Sequence, residues 1–187
     1  MKHLLCTLLL LPMFTLAQRN TYFSADGSIS LAKGFDNTAY GINLSGNYGL
    51  SESLFLGIAG GAFKMAPFLN NVSVPLSARF TFFPFTDKDR LVPFGMLEGG
   101  KLFYSEGSKL QNGTGAMKGK STVFAGLGTR FPSLKASHGF IAIGYAGFWY
   151  GNSIYNREGA LVAQQNFSIK RVTVKLGLML PHTSRVQ

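Results

Sequence analysis

Six ionisable residues, Asp26, Arg79, Glu98, Arg130, Arg171 and Lys175, occupy positions where alternating segments otherwise carry small polar residues. The clearest case is 171–180, RVTVKLGLML. Val172, Val174, Leu176, Leu178 and Leu180 share one parity, and Arg171, Thr173 and Lys175 share the other. A period of two marks a strand with one apolar face. Long cations alternating with branched aliphatics do not fit one dry core, so this strand separates an oily environment from a polar or hydrated one. Asp26 alternates in the same way with Phe23, Ala25 and Ile29, Arg79 with Phe80 and Phe82, and Arg130 with Leu127 and Phe131. Glu98 is assigned to the same inner side, with Lys101 on the opposite parity and a bulge as the competing account. Ions confined in an enclosed space need partners, so a hydrogen-bonded network should join the two acids to some of the four bases. Its role is either to plug and stiffen the interior or to support conduction or gating.

Other chemistries find little support. His138 falls at a short polar connection and His182 in the polar end of the chain, where each reads as a surface residue. No cluster has zinc-ligand spacing, and there is no Walker sequence, dinucleotide fingerprint or nucleophile-elbow serine, so no catalytic residue, metal or cofactor is assigned. Gly60-Gly61 and Gly99-Gly100 lie inside strand patterns, where tight packing explains them. The formal charge is +10, but the bases are dispersed without an aromatic stacking module, which argues against nucleic acid. Lys101, Lys109, Lys118 and Lys120 gather around the glycine- and serine-rich stretch 105–120. They are candidates for contact with acidic lipid phosphates or polysaccharide, against the alternative of an ordinary solvated loop.

The 187 residues are 46% apolar and only 14% charged, with 23 glycines; soluble domains are about a quarter charged. Met1-Lys2-His3, the apolar run 4–16 and the small residues around Ala17 read as a signal peptide at 1–17, with cleavage after Ala17; a buried N-terminal helix is the alternative. Cys6, the only cysteine, lies in that run. Residues 18–187 then form one domain without thiol chemistry.

Eight alternating segments follow, at 22–33, 39–48, 54–63, 72–82, 91–104, 123–131, 140–150 and 167–180. Tyr40, Ile42 and Leu44, then Val72, Val74, Leu76 and Phe80, then Ile141 and Ile143, form aliphatic or aromatic rows matching Val172, Val174, Leu176 and Leu178. The opposite parities are mainly Gly, Ser, Asn and Thr, too poor in charge to clothe a water-facing exterior. The aliphatic rows therefore read as lipid-facing, and closure into a barrel satisfies the backbone. The connections GLSES, PFTDKDR and SLKAS are short. GFDNT, 66–71, 105–120 and 151–165 fall at the opposite rim and include the two longest. The expected fold is all-β, an eight-stranded antiparallel up-and-down transmembrane barrel. Tyr22, Tyr40, Tyr48, Phe82, Phe85, Tyr104, Phe131, Trp149 and Tyr150 fall near strand ends, as aromatics at a headgroup boundary or at ordinary hairpin ends would.

In leader, strand count and loop alternation, the chain resembles the small eight-stranded outer-membrane β-barrel proteins of Gram-negative bacteria, chiefly through 40–48, 72–82, 140–150 and 171–180. The resemblance implies outer-membrane residence among acidic lipopolysaccharide groups and assembly guided by the last strand. Such strands commonly end in an aromatic residue at the chain end; here Leu180 is followed by PHTSRVQ. The favoured function is non-enzymatic, structural or surface-binding through external loops that could hold an unidentified ligand, because eight strands leave little lumen. The alternatives are a narrow pore or small-ligand transporter, a lipid A-modifying enzyme, and a soluble barrel binding a lipophilic ligand. No serine and histidine pair at a rim supports the enzyme.

Overall fold

The computed structural model describes residues 21–31, 38–65, 71–85, 91–110, 113–132 and 137–182. The expected leader, most of GFDNT and SLKAS, 66–70, 86–90 and the tail after His182 lie outside the described residues. The strands are β1 (Thr21–Leu31), β2 (Thr38–Gly49), β3 (Leu54–Met65), β4 (Val74–Phe82), β5 (Val92–Phe103), β6 (Ser105–Leu110), β7 (Gly113–Pro132), β8 (His138–Asn156) and β9 (Leu161–His182). Every pairing between them is antiparallel. β1 pairs with both β2 and β9, and β5 pairs with β7, so the sheet closes. β6 continues the line of β5 past Tyr104 and pairs with the same neighbour, β7. The Gly119 N–H donates to the Tyr104 carbonyl at 3.0 Å, which carries the ladder across that break. The nine strands therefore make eight barrel staves.

Alternation decides which side chains face out. Ile42, Leu44, Ile58, Leu127 and Leu176 are all at least 60% exposed on the outer surface. Tyr40, Val72, Val74, Leu76, Ile141, Ile143, Val172 and Leu178 are exposed with them, while Phe80 and Val174 are half-buried on the same parity. The β4–β5 register runs without a shift from Val74 opposite Phe103 to Phe82 opposite Gly95. Glu98 and Lys101 consequently take opposite faces by simple alternation, without the bulge.

Three expectations are corrected. The described residues of stretch 105–120 are not irregular but form β6 and the start of β7, and 151–165 is largely the β8–β9 hairpin. Above the rim both faces of a hairpin meet water, so the apolar period lapses while the backbone ladder continues. The β8–β9 turn is tied by Asn156, whose side-chain oxygen accepts from Glu158 N at 3.0 Å and Ala160 N at 2.8 Å, with Gly159 at φ 79°. Secondly, the interior is far from only small and polar: Phe55, Phe63, Phe94, Phe124, Phe140 and Phe148 are buried in it. Thirdly, Tyr22, Tyr104 and Tyr150 point inward rather than to a headgroup boundary, because each shares the parity of the interior residues of its strand. Tyr40, Phe82 and Phe85 are exposed.

Glycine makes room for these rings. Gly126 and Gly144 face each other across β7 and β8. A Cβ on Gly144 would lie 2.6 Å from Gly126 Cα and 2.8 Å from the Phe124 ring. Gly144→Val should therefore destabilise the barrel by about 1–3 kcal/mol through overpacking, read as a lowered urea midpoint in refolding titrations. Gly95→Ala is the control: its Cβ would meet Leu127 Cδ2 at 3.9 Å and nothing closer, so its midpoint should match the parent.

Candidate functional site

Four of the six interior charges meet at mid-barrel. Register accounts for the first pair, since Arg79 on β4 lies directly opposite Glu98 on β5. Arg79 Nε donates to Glu98 Oε1 at 2.7 Å, and Nη2 donates to Asp26 Oδ2 at 2.9 Å. Its Nη1 donates to both Ser24 and Ser45 Oγ at 2.8 Å, and Ser24 and Ser45 are themselves register partners on β1 and β2. Asn43, opposite Asp26, donates to the second Asp26 oxygen at 3.0 Å. From β9, Lys175 reaches across the lumen to both Glu98 oxygens at 2.7 Å and sits 4.4 Å from the centroid of the Phe124 ring.

The side chains of Arg79 and Asp26 are 0% exposed. The cluster balances two carboxylates against two cations, and each ion holds charge-assisted bonds, the condition under which buried ions are tolerated. It links five strands, β1, β2, β4, β5 and β9, across the interior. That arrangement fastens staves that share no backbone ladder.

Arg130 and Arg171 take other levels. Arg130 is opposite Val92, six residues from Glu98 along β5 and so about 20 Å away along the strand. Its guanidinium lies 4.8 Å from the Phe83 ring centroid at the short-turn rim. Arg171 is four residues, two periods of the alternation, above Lys175, opposite Ala146, and donates to the Ser30 carbonyl at 3.5 Å.

Aromatic layers flank the charges. Toward the short-turn rim, Tyr22, Phe55, Phe83, Phe94 and Phe140 form a chain of ring contacts with centroid separations of 5.1 to 5.9 Å. Toward the long-hairpin rim, Phe63 packs on Phe148 at 4.7 Å, and Tyr150 lies between Tyr104 and Phe167. Between the charges and the Phe63–Phe148 pair remains a cavity of about 50 Å³ lined by Ser30, Asn43, Glu98, Thr173 and Lys175 among others. It has room for a few waters. The sequence signal for these layers is the inward parity of Phe124 and Phe148, on faces that also carry charged or small residues. Ser24, Ser45 and Asn43, which complete the shell of Arg79, had no signal beyond that parity. Among the described residues no group of three or more His, Cys, Asp or Glu could hold a metal ion.

The proposed external lysines are exposed, and three of the four lie close together. Lys101 on β5 and Lys118 and Lys120 on β7 lie near the long-hairpin rim, whereas Lys109 is opposite Thr114 toward the tip of the β6–β7 hairpin. Lys120 Nζ donates to Asn166 Oδ1 at 2.6 Å.

A closed antiparallel sheet of eight staves, long hairpins at one rim and a filled interior define the fold of the small eight-stranded outer-membrane β-barrels. The chain is similar to the outer membrane protein OprG from Pseudomonas aeruginosa, with TM-score 0.58 and 11% identity over 88% of this chain and 96% of that one. It is similar also to the N-terminal β-barrel domain of Pseudomonas aeruginosa OprF, with TM-score 0.52 and 14% identity over 88% and 98% of the two chains. Neisserial surface protein A gives TM-score 0.50 and 11% identity over 86% and 96%. No protein-family model and no curated protein matches the sequence. At these identities the likeness is one of fold.

Removing Arg79 strands Asp26 as a buried, uncompensated carboxylate. Arg79→Met should cost about 3–5 kcal/mol, measured by urea unfolding of the refolded barrel. Adding Asp26→Asn should restore more than half of that loss, because Glu98 keeps Lys175. Equal stability of the single and double variants would contradict the network.

Proposed function

We propose that this protein is an outer-membrane barrel of Gram-negative type, non-enzymatic and closed, acting as a structural or surface-binding unit through the β6–β7 and β8–β9 hairpins. The observation that carries this reading is the filled lumen: a neutral ion cluster between two aromatic layers, with a cavity of only about 50 Å³. Eight staves enclose little more than their own side chains. An open path would require both aromatic layers and the Arg79–Glu98–Lys175 bonds to give way together.

Location at a membrane is supported by the outer surface. Large aliphatics and aromatics are exposed around the whole wall, far beyond the few hundred Å² of contiguous apolar patch usual for soluble monomers. A soluble carrier of a lipophilic ligand would invert this pattern and need a cavity of roughly 300–1,000 Å³. Cell fractionation followed by a heat-modifiability gel tests the location: the folded protein should sediment with outer membranes and change mobility on boiling. Recovery from the soluble periplasm would overturn it.

Planar-bilayer recording tests closure. Refolded protein should give no reproducible single-channel steps in molar salt. Discrete, reproducible conductance would replace the closed reading with the narrow-pore one, and solute uptake by proteoliposomes would do so for a transporter.

A further inference from the structure

One outward patch differs from the rest of the wall. Across β5, β7, β8 and β9, Lys101 stands opposite Ser121, Ser121 opposite Trp149, and Trp149 opposite Ser168. In the row nearer the hairpin tips, Lys118 is opposite Gly151 and Gly151 opposite Asn166; in the row below, Gly147 is opposite Lys170. The register shift between Gly119 and Ser121 makes Lys120 a bulge residue, and bulges re-aim side chains. Its amine crosses Gly151 to reach Asn166 at 2.6 Å; a Cβ at Gly151 would meet Lys120 Cε at 2.8 Å. The Trp149 ring similarly lies over Gly147, where a Cβ would meet its edge at 2.6 Å. Glycines thus lower the floor, and the bulge turns a fourth amine toward it.

The charge is one-sided. Lys101, Lys118, Lys120 and Lys170 are exposed, while the described acids lie elsewhere. Asp26 and Glu98 are in the lumen, Glu52 is in the β2–β3 turn at the opposite rim, Glu106 accepts from Tyr104, and Glu158 is in the β8–β9 turn. The patch also sits at one level, where β1 ends with Leu31 opposite Val172 and β4 begins with Val74 opposite Phe103. Below it the wall is aliphatic, with Leu97, Ile143, Val172 and Leu176 exposed.

We propose that this patch, four lysines around Trp149, binds the phosphate groups of a phosphorylated lipid headgroup in the outer leaflet. The proposal rests on the membrane reading above. Amines at several corners of a shallow floor suit a headgroup carrying more than one phosphate, and each amine near a charged surface adds to the attraction. Trp149 supplies the amphipathic ring that such a boundary favours. Asn166 holds Lys120 in place until a stronger acceptor arrives.

Trp149 is the only tryptophan, so its emission reports this patch. The folded full chain in zwitterionic detergent is titrated with diphosphorylated lipid A, with the dephosphorylated form, and with inorganic pyrophosphate. A saturable emission change is expected for the first alone. The combined Lys101→Gln, Lys118→Gln and Lys120→Gln variant should weaken it at least tenfold, and Lys109→Gln should leave it within twofold. An equal response to the dephosphorylated lipid, or equal weakening by Lys109→Gln, overturns the proposal. Competition by pyrophosphate at similar concentration overturns the lipid source in favour of a soluble phosphate ligand. A heat-modifiable, membrane-resident protein with a silent Trp149 would sink this inference alone; a periplasmic soluble protein would sink the membrane reading with it.

Discussion

Closure of the backbone ladder is the constraint on which the rest depends. With β1 paired to β9 and β5 to β7, the body of the sheet presents no open edge, so its wall can be aliphatic without exposing unpaired amides to an apolar surrounding. Eight staves set a narrow diameter, and a narrow diameter makes the inner parity a packing problem. Glycine at positions such as 126 and 144 and phenylalanine at positions such as 94, 124 and 140 are two halves of one solution: rings fill what the missing side chains vacate.

The ladder also determines where charges meet. Arg79 does not search for Glu98; the β4–β5 register sets them opposite each other, as the β1–β2 register sets Asp26 against Asn43 and Ser24 against Ser45. Arg79, reaching from β4 to Asp26 on β1, and Lys175, reaching from β9 to Glu98 on β5, span the staves between. The cluster therefore costs less conformational entropy than one assembled from loops, because the three register pairs are already adjacent and the rest sit on rigid strands. The same logic runs on the outside, where pairing of β5, β7, β8 and β9 gathers lysines separated by up to 69 positions in the chain, from Lys101 to Lys170.

Strand identity and facing were legible because alternation is a local property: 171–180 or 72–82 announces both its faces in ten residues. Inner charge was legible for the same reason, since Arg79 and Lys175 stand among small residues on the polar parity of that alternation. Three things were not. The hairpins above the rim lose the apolar period, as in GTGAMKGKS, while keeping backbone pairing that leaves no mark on composition. The aromatic layers were hidden because phenylalanine suits either face: Phe124 points in and Phe103 out, and only the phase of the whole strand separates them. Which bases join the cluster was equally beyond reach, since Arg130, Arg171 and Lys175 share a parity but lie at different heights, and height follows from register rather than from type.

This last point explains why an ionic centre belongs in a barrel that aromatic residues alone could fill. A one-residue slip between strands turns every aliphatic inward and is excluded by alternation. A two-residue slip preserves alternation, so the apolar pattern barely opposes it. In β4 against β5, such a slip would set Arg79 opposite Met96 or Gly100 instead of Glu98. Glu98 would then lose the guanidinium that the register sets opposite it. Because a stranded buried carboxylate is far more costly than a mismatched pair of leucines, the charge layer discriminates among registers that hydrophobicity treats as equivalent. It does so at mid-height, where an error on either side is felt by five strands at once.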